Sequence, residues 1–112
     1  MYNESMKAAI FLAALLPSIA TAGNFATCLL DKLPGVQNDV AAQAVYQVCH
    51  AQHPGAFGSV KQGDGRGWFS YKSGPDCTMA KAGETRSIRA AGLIGAACRR
   101  LYDEGGPWLA FQ

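Results

Sequence analysis

The stretch Cys28–Cys49, CLLDKLPGVQNDVAAQAVYQVC, decides the fold, because its pattern returns as Cys77–Cys98, CTMAKAGETRSIRAAGLIGAAC. The two stretches are equally long, and each matched position is offset by 49 residues (77 minus 28). A cysteine stands at both ends of each stretch. Two adjacent alanines also match, Ala41–Ala42 in the first and Ala90–Ala91 in the second. The repetition predicts two similar structural units in one chain.

The first unit has the pattern of a short helix, a turn and a longer helix. The short helix, Phe25 to Leu33, has to end before Pro34, because the residue before a proline avoids the α region. Asn38 or Asp39 caps the longer helix, which is expected to end near residue 52. One largely apolar stripe is predicted along that helix: Ala41, Val45, Val48, Cys49 and Gln52.

The second unit repeats this organisation with other turn residues. Asp76 is the expected cap of its short helix, Gly83 ends that helix, and Ser87 caps a longer helix that runs to about Tyr102. The buried side of the longer helix is predicted to carry Ala90, Ile94, Ala97, Cys98 and Leu101. Residues 54–75 are rich in glycine and are expected to be non-helical, either an irregular loop or a short β-hairpin.

The positions of the four cysteines favour one disulfide within each unit. The first cysteine of a unit lies near the start of the short helix and the second near the end of the long one, and these places meet in an antiparallel hairpin. Cys28–Cys49 and Cys77–Cys98 are therefore favoured, although four cysteines allow three connectivities. The predicted fold is mostly α: two tandem disulfide-closed helical hairpins with a pseudo-twofold arrangement.

The first 22 residues have the layout of a secretory signal peptide. Met6–Ala22 has a lysine, an apolar run and the small-residue ending ATA, and translation from Met6 would omit the unfavourable Glu4. The apolar run is too short to span a bilayer, and Pro17 interrupts it. Cleavage after Ala22 would leave no stable transmembrane span and would place the protein in the periplasm or outside the cell.

The rest of the chain, residues 23–112, is expected to be a single small domain. Repeat 1 covers about 24–53, the connecting loop 54–75, and repeat 2 with its tail 76–112. The tail, GGPWLAFQ, is apolar enough that we expect it to pack on the core. A chain this short buries a modest core, and two disulfides in an oxidising compartment would stabilise it.

Charge and cysteine spacing argue against several classes of protein. The formal net charge is +2, which is too weak to argue for nucleic acid or for an anionic membrane, so no nucleic-acid partner is predicted. The cysteines are about twenty residues apart and lack the C-x-x-C spacing of zinc sites, so neither a metal nor a cofactor is predicted. A weaker alternative is a metal triplet of Cys49, His50 and His53. Histidines at a helix end more often interact with its last carbonyls.

No catalytic motif is evident in the sequence. The serines lack the G-x-S-x-G setting of a nucleophile elbow, and GDGRG at 63–67 lacks the lysine and the following helix of a phosphate-binding loop. The best candidates for recognition are the loop residues Arg66, Trp68, Phe69 and Tyr71, because aromatic residues beside an arginine suit binding of peptide, glycan or protein. The alternative, which the composition favours, is that Trp68 fills the core.

A second candidate contact surface is the outer face of the last long helix, formed by Gly92, Gly95, Ala96 and Arg99. Glycine inside a helix costs about 1 kcal/mol relative to alanine, so two on one face need a reason. The face could hold the chain's own tail, with Trp108 or Phe111 across it. It could instead admit a helix of a second copy or of another protein, or the glycines could be neutral drift.

The first repeat resembles a group of small exported bacterial four-cysteine proteins with the phrase C-x-L-x-x-M-x-G-V-x-[SN]-D-x-A-A-x-x-[IV]-x-x-x-C. The chain matches this phrase at Cys28, Leu30, Gly35, Val36, Asn38, Asp39, Ala41, Ala42, Val45 and Cys49, with Leu33 in place of the methionine. The second repeat keeps Cys77, Ala90, Ala91, Ile94 and Cys98 but not the turn. The resemblance implies an exported, disulfide-linked bacterial protein and implies no activity.

Together these features favour a non-catalytic binding or interaction module whose partner is an unidentified protein or envelope component. Self-association is compatible with them. A small exported enzyme such as a hydrolase is the second interpretation. A structural or assembly component of an envelope or phage-like complex is the third.

Overall fold

A computed structural model describes residues 23–105, and the predicted signal peptide and most of the tail lie outside this range. The described chain is mostly helical, as predicted. It contains α1 (Phe25–Lys32), α2 (Asp39–Gln52), the 3-10 helix η1 (Ala56–Ser59), α3 (Gly74–Ala82) and α4 (Ile88–Tyr102). No strand occurs between residues 23 and 105, so the β-hairpin alternative is wrong. The expectation that residues 54–75 are non-helical also fails at η1.

Side-chain caps start the helices of the first half of the chain. The Asn24 side-chain oxygen accepts from the Thr27 N–H at 2.9 Å, and the Thr27 hydroxyl oxygen accepts from the Asn24 N–H at 2.8 Å. These reciprocal bonds are a capping box, and they satisfy two backbone donors that α1 would leave unpaired. Asn38 caps α2 by accepting from the Ala41 N–H at 2.8 Å, which confirms one of the two predicted caps.

The helices of the second half are also capped by serines. Ser87 caps α4 as predicted, its hydroxyl oxygen accepting from the Ala90 N–H at 3.0 Å. The predicted cap of α3 is wrong, because Ser73 holds that position and accepts from the Asp76 N–H at 3.2 Å. Pro75 then lies in the first turn, where its missing N–H removes no helical hydrogen bond.

Both disulfides form as predicted. Cys28 pairs with Cys49 and Cys77 with Cys98, each across 21 residues of sequence, with Cα–Cα distances of 5.8 and 5.5 Å. Each bridge joins a short helix to the long helix that follows it. In the chain-entropy model, closing a loop of this length stabilises the fold by about 3 kcal/mol.

The core is one hydrophobic cluster organised around α4, which contacts the other three helices. The five residues predicted on its buried side are all buried: Ala90, Ile94, Ala97, Cys98 and Leu101. α1 contributes Phe25 and Leu29, and Leu33 follows at its C-terminal cap; all three are fully buried. Residues from both halves of the chain therefore share the same core.

The buried side of α2 differs from the predicted stripe. Ala42 and Cys49 are fully buried, and Val45 and Tyr46 pack partly against them. This spacing of i, i+3, i+4 and i+7 is one helical face, rotated away from the predicted one. Val48 is 47% exposed as a result.

The turns before α2 and α4 hold the two halves together. The Thr85 hydroxyl and the Arg86 N–H both donate to the Val36 carbonyl. The Asp39 carboxylate accepts from the Ser87 hydroxyl and from the Arg89 N–H. Asp39 lies in the first turn of α2, and through these bonds it also caps the N-terminus of α4.

Candidate binding surface

Residues 60–73, here called the aromatic loop, are attached to the C-terminal end of α4. The N–H groups of Gly63 and Gly65 donate to the carbonyls of Arg100 and Leu101 at 2.8 and 2.9 Å. The Arg66 guanidinium donates to the Tyr102 carbonyl at 2.7 Å. The last carbonyls of a helix have no partner within the helix, so the loop satisfies three groups that would otherwise need water.

Two glycines allow this close attachment. Gly63 has a φ of +81°, a conformation that side chains disfavour. A Cβ on Gly65 would lie 2.7 Å from a ring carbon of Tyr102, so only glycine permits the loop to approach α4 at that point. The glycine content of this segment therefore serves its packing against α4.

The two ends of the aromatic loop are fixed by packed side chains. Val60 is 1% exposed, and the Arg100 Nε donates to its carbonyl at 2.7 Å. Tyr71 packs edge-on against Tyr102, with ring centroids 5.4 Å apart. Burial, and secondarily the neighbouring Tyr71, raises the pKa of the Tyr102 phenol. Tyr71 therefore anchors the loop on α4.

The tip of the aromatic loop carries two fully exposed aromatic side chains, Trp68 and Phe69, at 97% and 101% of their reference areas. The prediction that Trp68 fills the core is wrong. Ser70 closes a tight turn, since its hydroxyl oxygen accepts from the Gly67 N–H at 3.0 Å. Trp68 and Phe69 lie between Gly67 and Ser70 at the centre of this turn and project into solvent. Side chains of α1 and Val60 occupy the core instead.

Cationic side chains flank the tip. Arg66 and Lys72 border a shallow depression of about 440 Å³ that also includes Trp68, Ser70 and Tyr71. Arg66 forms a 3.4 Å ion pair with Glu104, and this is the one ion pair within residues 23–105. Because Arg66 also donates to the Tyr102 carbonyl, it holds the loop as well as lending charge to it.

Of the second predicted surface, on α4, only Gly95 is buried inside the protein. Gly95 is buried, and a Cβ there would lie 3.9 Å from the Thr78 hydroxyl oxygen of α3. Gly92, by contrast, is exposed and has open space around it. Ala96 is half-buried and Arg99 exposed. The face of Gly95 therefore receives α3, and the alternative involving Trp108 and Phe111 concerns residues outside the described range.

Other surface features are less focused. A polar depression of about 510 Å³ lies between α1 and the end of α2, lined by Gly23, Asn24, Thr27, Cys28, Asp31, Lys32, Gln52 and His53. The side chain of His50 stacks on Tyr46, with centroids 5.9 Å apart, and Cys49 is bonded to Cys28, so the alternative metal triplet lacks its thiolate. Within residues 23–105 no cluster of three acidic, cysteine or histidine side chains has a metal-binding arrangement.

A second apolar stripe, not predicted from the sequence, lies on the outside of α2. Val40 is 81% exposed there, and Ala44, Val48 and Ala51 continue its face. Their spacing of i, i+4, i+8 and i+11 is the signal that would have found it. Elsewhere, Met79 and Ile88 are exposed singly, at 77% and 86%. None of the described helices has the length and apolar character needed to cross a membrane.

Comparisons with known proteins add no relative to this picture. No family model, no curated protein and no solved structure matches the chain.

Proposed function

We propose that this protein is an exported, non-catalytic binding module whose contact surface is the tip of the aromatic loop. The observation that carries the proposal is the complete exposure of Trp68 and Phe69 side by side on a segment hydrogen-bonded to α4. Single exposed apolar residues are ordinary on protein surfaces. Two adjacent large aromatics form a patch, and such patches mark interaction sites.

The attachment of the loop supports a binding role over an accidental exposure. Its two ends are packed, and its backbone is hydrogen-bonded to the last turn of α4, so the base that carries the tip is held in place. A preorganised tip loses less conformational entropy on binding than a free segment does. Aromatic residues and arginine are also the residue types that contribute most to binding energy at interfaces.

Export is part of the proposal. Two buried disulfides are typical of an oxidising compartment, and the first 22 residues have the layout of a signal peptide. The periplasm or the cell exterior is the proposed location. The equal spacing of the two disulfides and the matched caps Asn38 and Ser87 further support a tandem arrangement of two hairpins with pseudo-twofold symmetry.

The enzyme alternative has less in its favour. All four cysteines are oxidised, so none can act as a nucleophile. The polar depression between α1 and the end of α2 is open to solvent, and its lining residues do not form a recognised nucleophile–base pair. We therefore assign the exposed aromatic tip, and not a cleft, as the functional surface.

Retention on separated envelope material tests the proposal. The parent protein and the double variant Trp68→Ala/Phe69→Ala would be mixed with phospholipid vesicles, with purified peptidoglycan and with immobilised soluble periplasmic proteins. The control is Met79→Ala/Ile88→Ala, which removes two exposed apolar residues from elsewhere. We expect at least one material to retain the parent and the control but not the loop variant. Equal retention of all three proteins on every material would refute the proposal.

A further inference from the structure

We infer that the partner of the aromatic loop is the surface of an anionic lipid bilayer, into which Trp68 and Phe69 insert. The inference rests on the proposed function and specifies its partner. Three properties of the loop carry it: where the protein's net charge lies, the convex shape of the tip, and the fixed base beneath it.

The net positive charge of the whole chain is confined to the aromatic loop. Residues 61–72 contain Lys61, Arg66 and Lys72 against one acidic residue, Asp64, a net of +2. The chain as a whole has ten basic and eight acidic residues, so the remainder has seven of each and is neutral. Arg66 is ion-paired with Glu104, whereas Lys72, which lies beside Trp68, forms no ion pair within residues 23–105 and adds free positive charge next to the exposed aromatics.

This combination matches the chemistry of a bilayer interface. Tryptophan is enriched at the level of the lipid headgroups, where its amphipathic ring is stable. Neighbouring lysine and arginine side chains are attracted to anionic headgroups, and this attraction falls off within a Debye length of the surface. In the aromatic loop, the aromatics occupy the tip and the cations its flanks. When the tip inserts, the aromatics would therefore reach the edge of the hydrocarbon while the cations stay among the headgroups.

The shape of the tip favours a bilayer over a folded protein or a glycan. Trp68 and Phe69 protrude, and a protein partner would need a pocket that matches both side chains. A glycan site usually combines an aromatic platform with polar side chains beside it. The Ser70 hydroxyl near Trp68 is already committed to closing the turn with Gly67. A fluid bilayer accepts a protruding apolar tip without a complementary shape.

The fixed base of the loop lets the tip insert without rearrangement. Gly63 and Gly65 hold the backbone against α4, and Tyr71 packs on Tyr102. Binding should therefore be fast, reversible and salt-sensitive, since it relies on two side chains and a small charge. We expect loss of both aromatics to weaken partitioning into anionic vesicles at least about tenfold. Lys72→Gln alone should weaken it about fivefold.

The fluorescence of Trp68 gives a direct test. The protein would be recovered from its export compartment, with its N-terminus established by mass spectrometry, and would carry Trp108→Phe so that Trp68 is its only tryptophan. Vesicles would contain phosphatidylglycerol and phosphatidylcholine in equal amounts, or phosphatidylcholine alone. We expect a blue shift with the anionic vesicles, quenching by brominated lipid, and loss of both in about 0.5 M salt.

Two variants complete the design. Trp68→Ala/Phe69→Ala should lose vesicle binding, measured by flotation, while it unfolds at the same denaturant concentration as the parent. Met79→Ala/Ile88→Ala should bind as the parent does. Equal flotation of the loop variant and the parent, or unchanged Trp68 emission with anionic vesicles, overturns the lipid inference. If Trp68-dependent retention then persists on peptidoglycan or on soluble proteins, the proposed function survives. If it persists nowhere, both fail.

Discussion

At the scale of single residues, two glycines one turn apart on α4 have opposite surroundings. Gly95 is buried where α3 crosses, and Gly92 has open space around it. At the same crossing a Cβ on Gly74 of α3 would lie 3.0 Å from the Arg99 Cα. The missing side chain of Gly74 thus allows α3 to lie close to α4 near the Cys77–Cys98 bridge. A Cβ on Gly95 would already be in ordinary contact with Thr78 of α3, so a longer side chain would meet α3, whereas Gly92 has open space around it.

This contrast predicts opposite effects for one substitution at the two positions. Gly92→Gln should raise the free energy of unfolding by about 0.5–1 kcal/mol, because glutamine is the better helix former and has room. Gly95→Gln should lower it by about 1–3 kcal/mol, because a side chain longer than alanine would displace α3. Urea unfolding at several protein concentrations measures both. A stabilised Gly95→Gln protein would contradict the packing described here.

Residue identity alone predicted the caps Asn38 and Ser87, because a side chain that accepts from the backbone two or three residues on is a local property. It failed at Trp68. Composition indicates that a small chain needs large apolar residues in its core, but the Gly67–Ser70 turn decides where Trp68 points. The exposed tip could not be predicted because that turn depends on how the whole loop sits on α4.

At the scale of helices, the sequence predicted the buried side of α4 correctly and that of α2 wrongly. α4 has a single apolar stripe, so only one orientation buries it. α2 has alanines and valines on nearly every side, and only its packing against α1 and α4 selects the face of Ala42 and Cys49. Because the sequence pattern of α2 fits several orientations, tertiary contacts determine which of its faces is buried.

The contact between the starts of α2 and α4 depends on one carboxylate. Hydrogen bonds from the Ser87 hydroxyl and then from the Arg89 N–H lower the pKa of Asp39 below its ordinary value of 3.8; burial opposes them, and the Arg89 charge adds the smallest lowering effect. Asp39 is solvent-exposed, so salt screens the contribution. It nevertheless links the two halves where their long helices begin.

A lowered pKa fixes the direction of the pH dependence. The folded protein binds this proton less readily than the unfolded chain does, so Asp39 stabilises the fold above about pH 4 and loses that effect as pH falls through its folded pKa. Asp39→Asn should therefore be less stable than the parent near neutral pH, and the difference should shrink on acidification. Denaturant midpoints from neutral pH to about pH 2 measure it. If the difference in stability between the parent and Asp39→Asn stays constant with pH, protonation of Asp39 does not contribute to the pH dependence of folding.

At the scale of the whole molecule, the disulfides and the core divide the chain differently. Each disulfide stays within one half, across 21 residues. The core does not, because α1 packs on α4 and the turns exchange hydrogen bonds such as Thr85 to Val36. The matched cysteine spacing was enough to predict the pairing. The cysteine spacing did not predict that both halves share a core around α4, since the contacts that form this core are long-range.

Cleavage of the aromatic loop distinguishes the disulfides within each half from the core contacts between the halves. Brief treatment of the native protein with trypsin should cut at the exposed Lys61 or Lys72 first, because most other sites lie in helices and Arg86, in the turn before α4, is held by a hydrogen bond from its N–H to the Val36 carbonyl. The nicked protein should elute from a sizing column as the parent does, held by the shared core. In urea without reductant it should separate into two fragments, each two mass units lighter than its reduced form. Fragments that stay joined in urea would mean a disulfide between the halves. That result would contradict the pairing within each half. Fragments that part in native buffer would mean two independent units and would contradict a single core around α4.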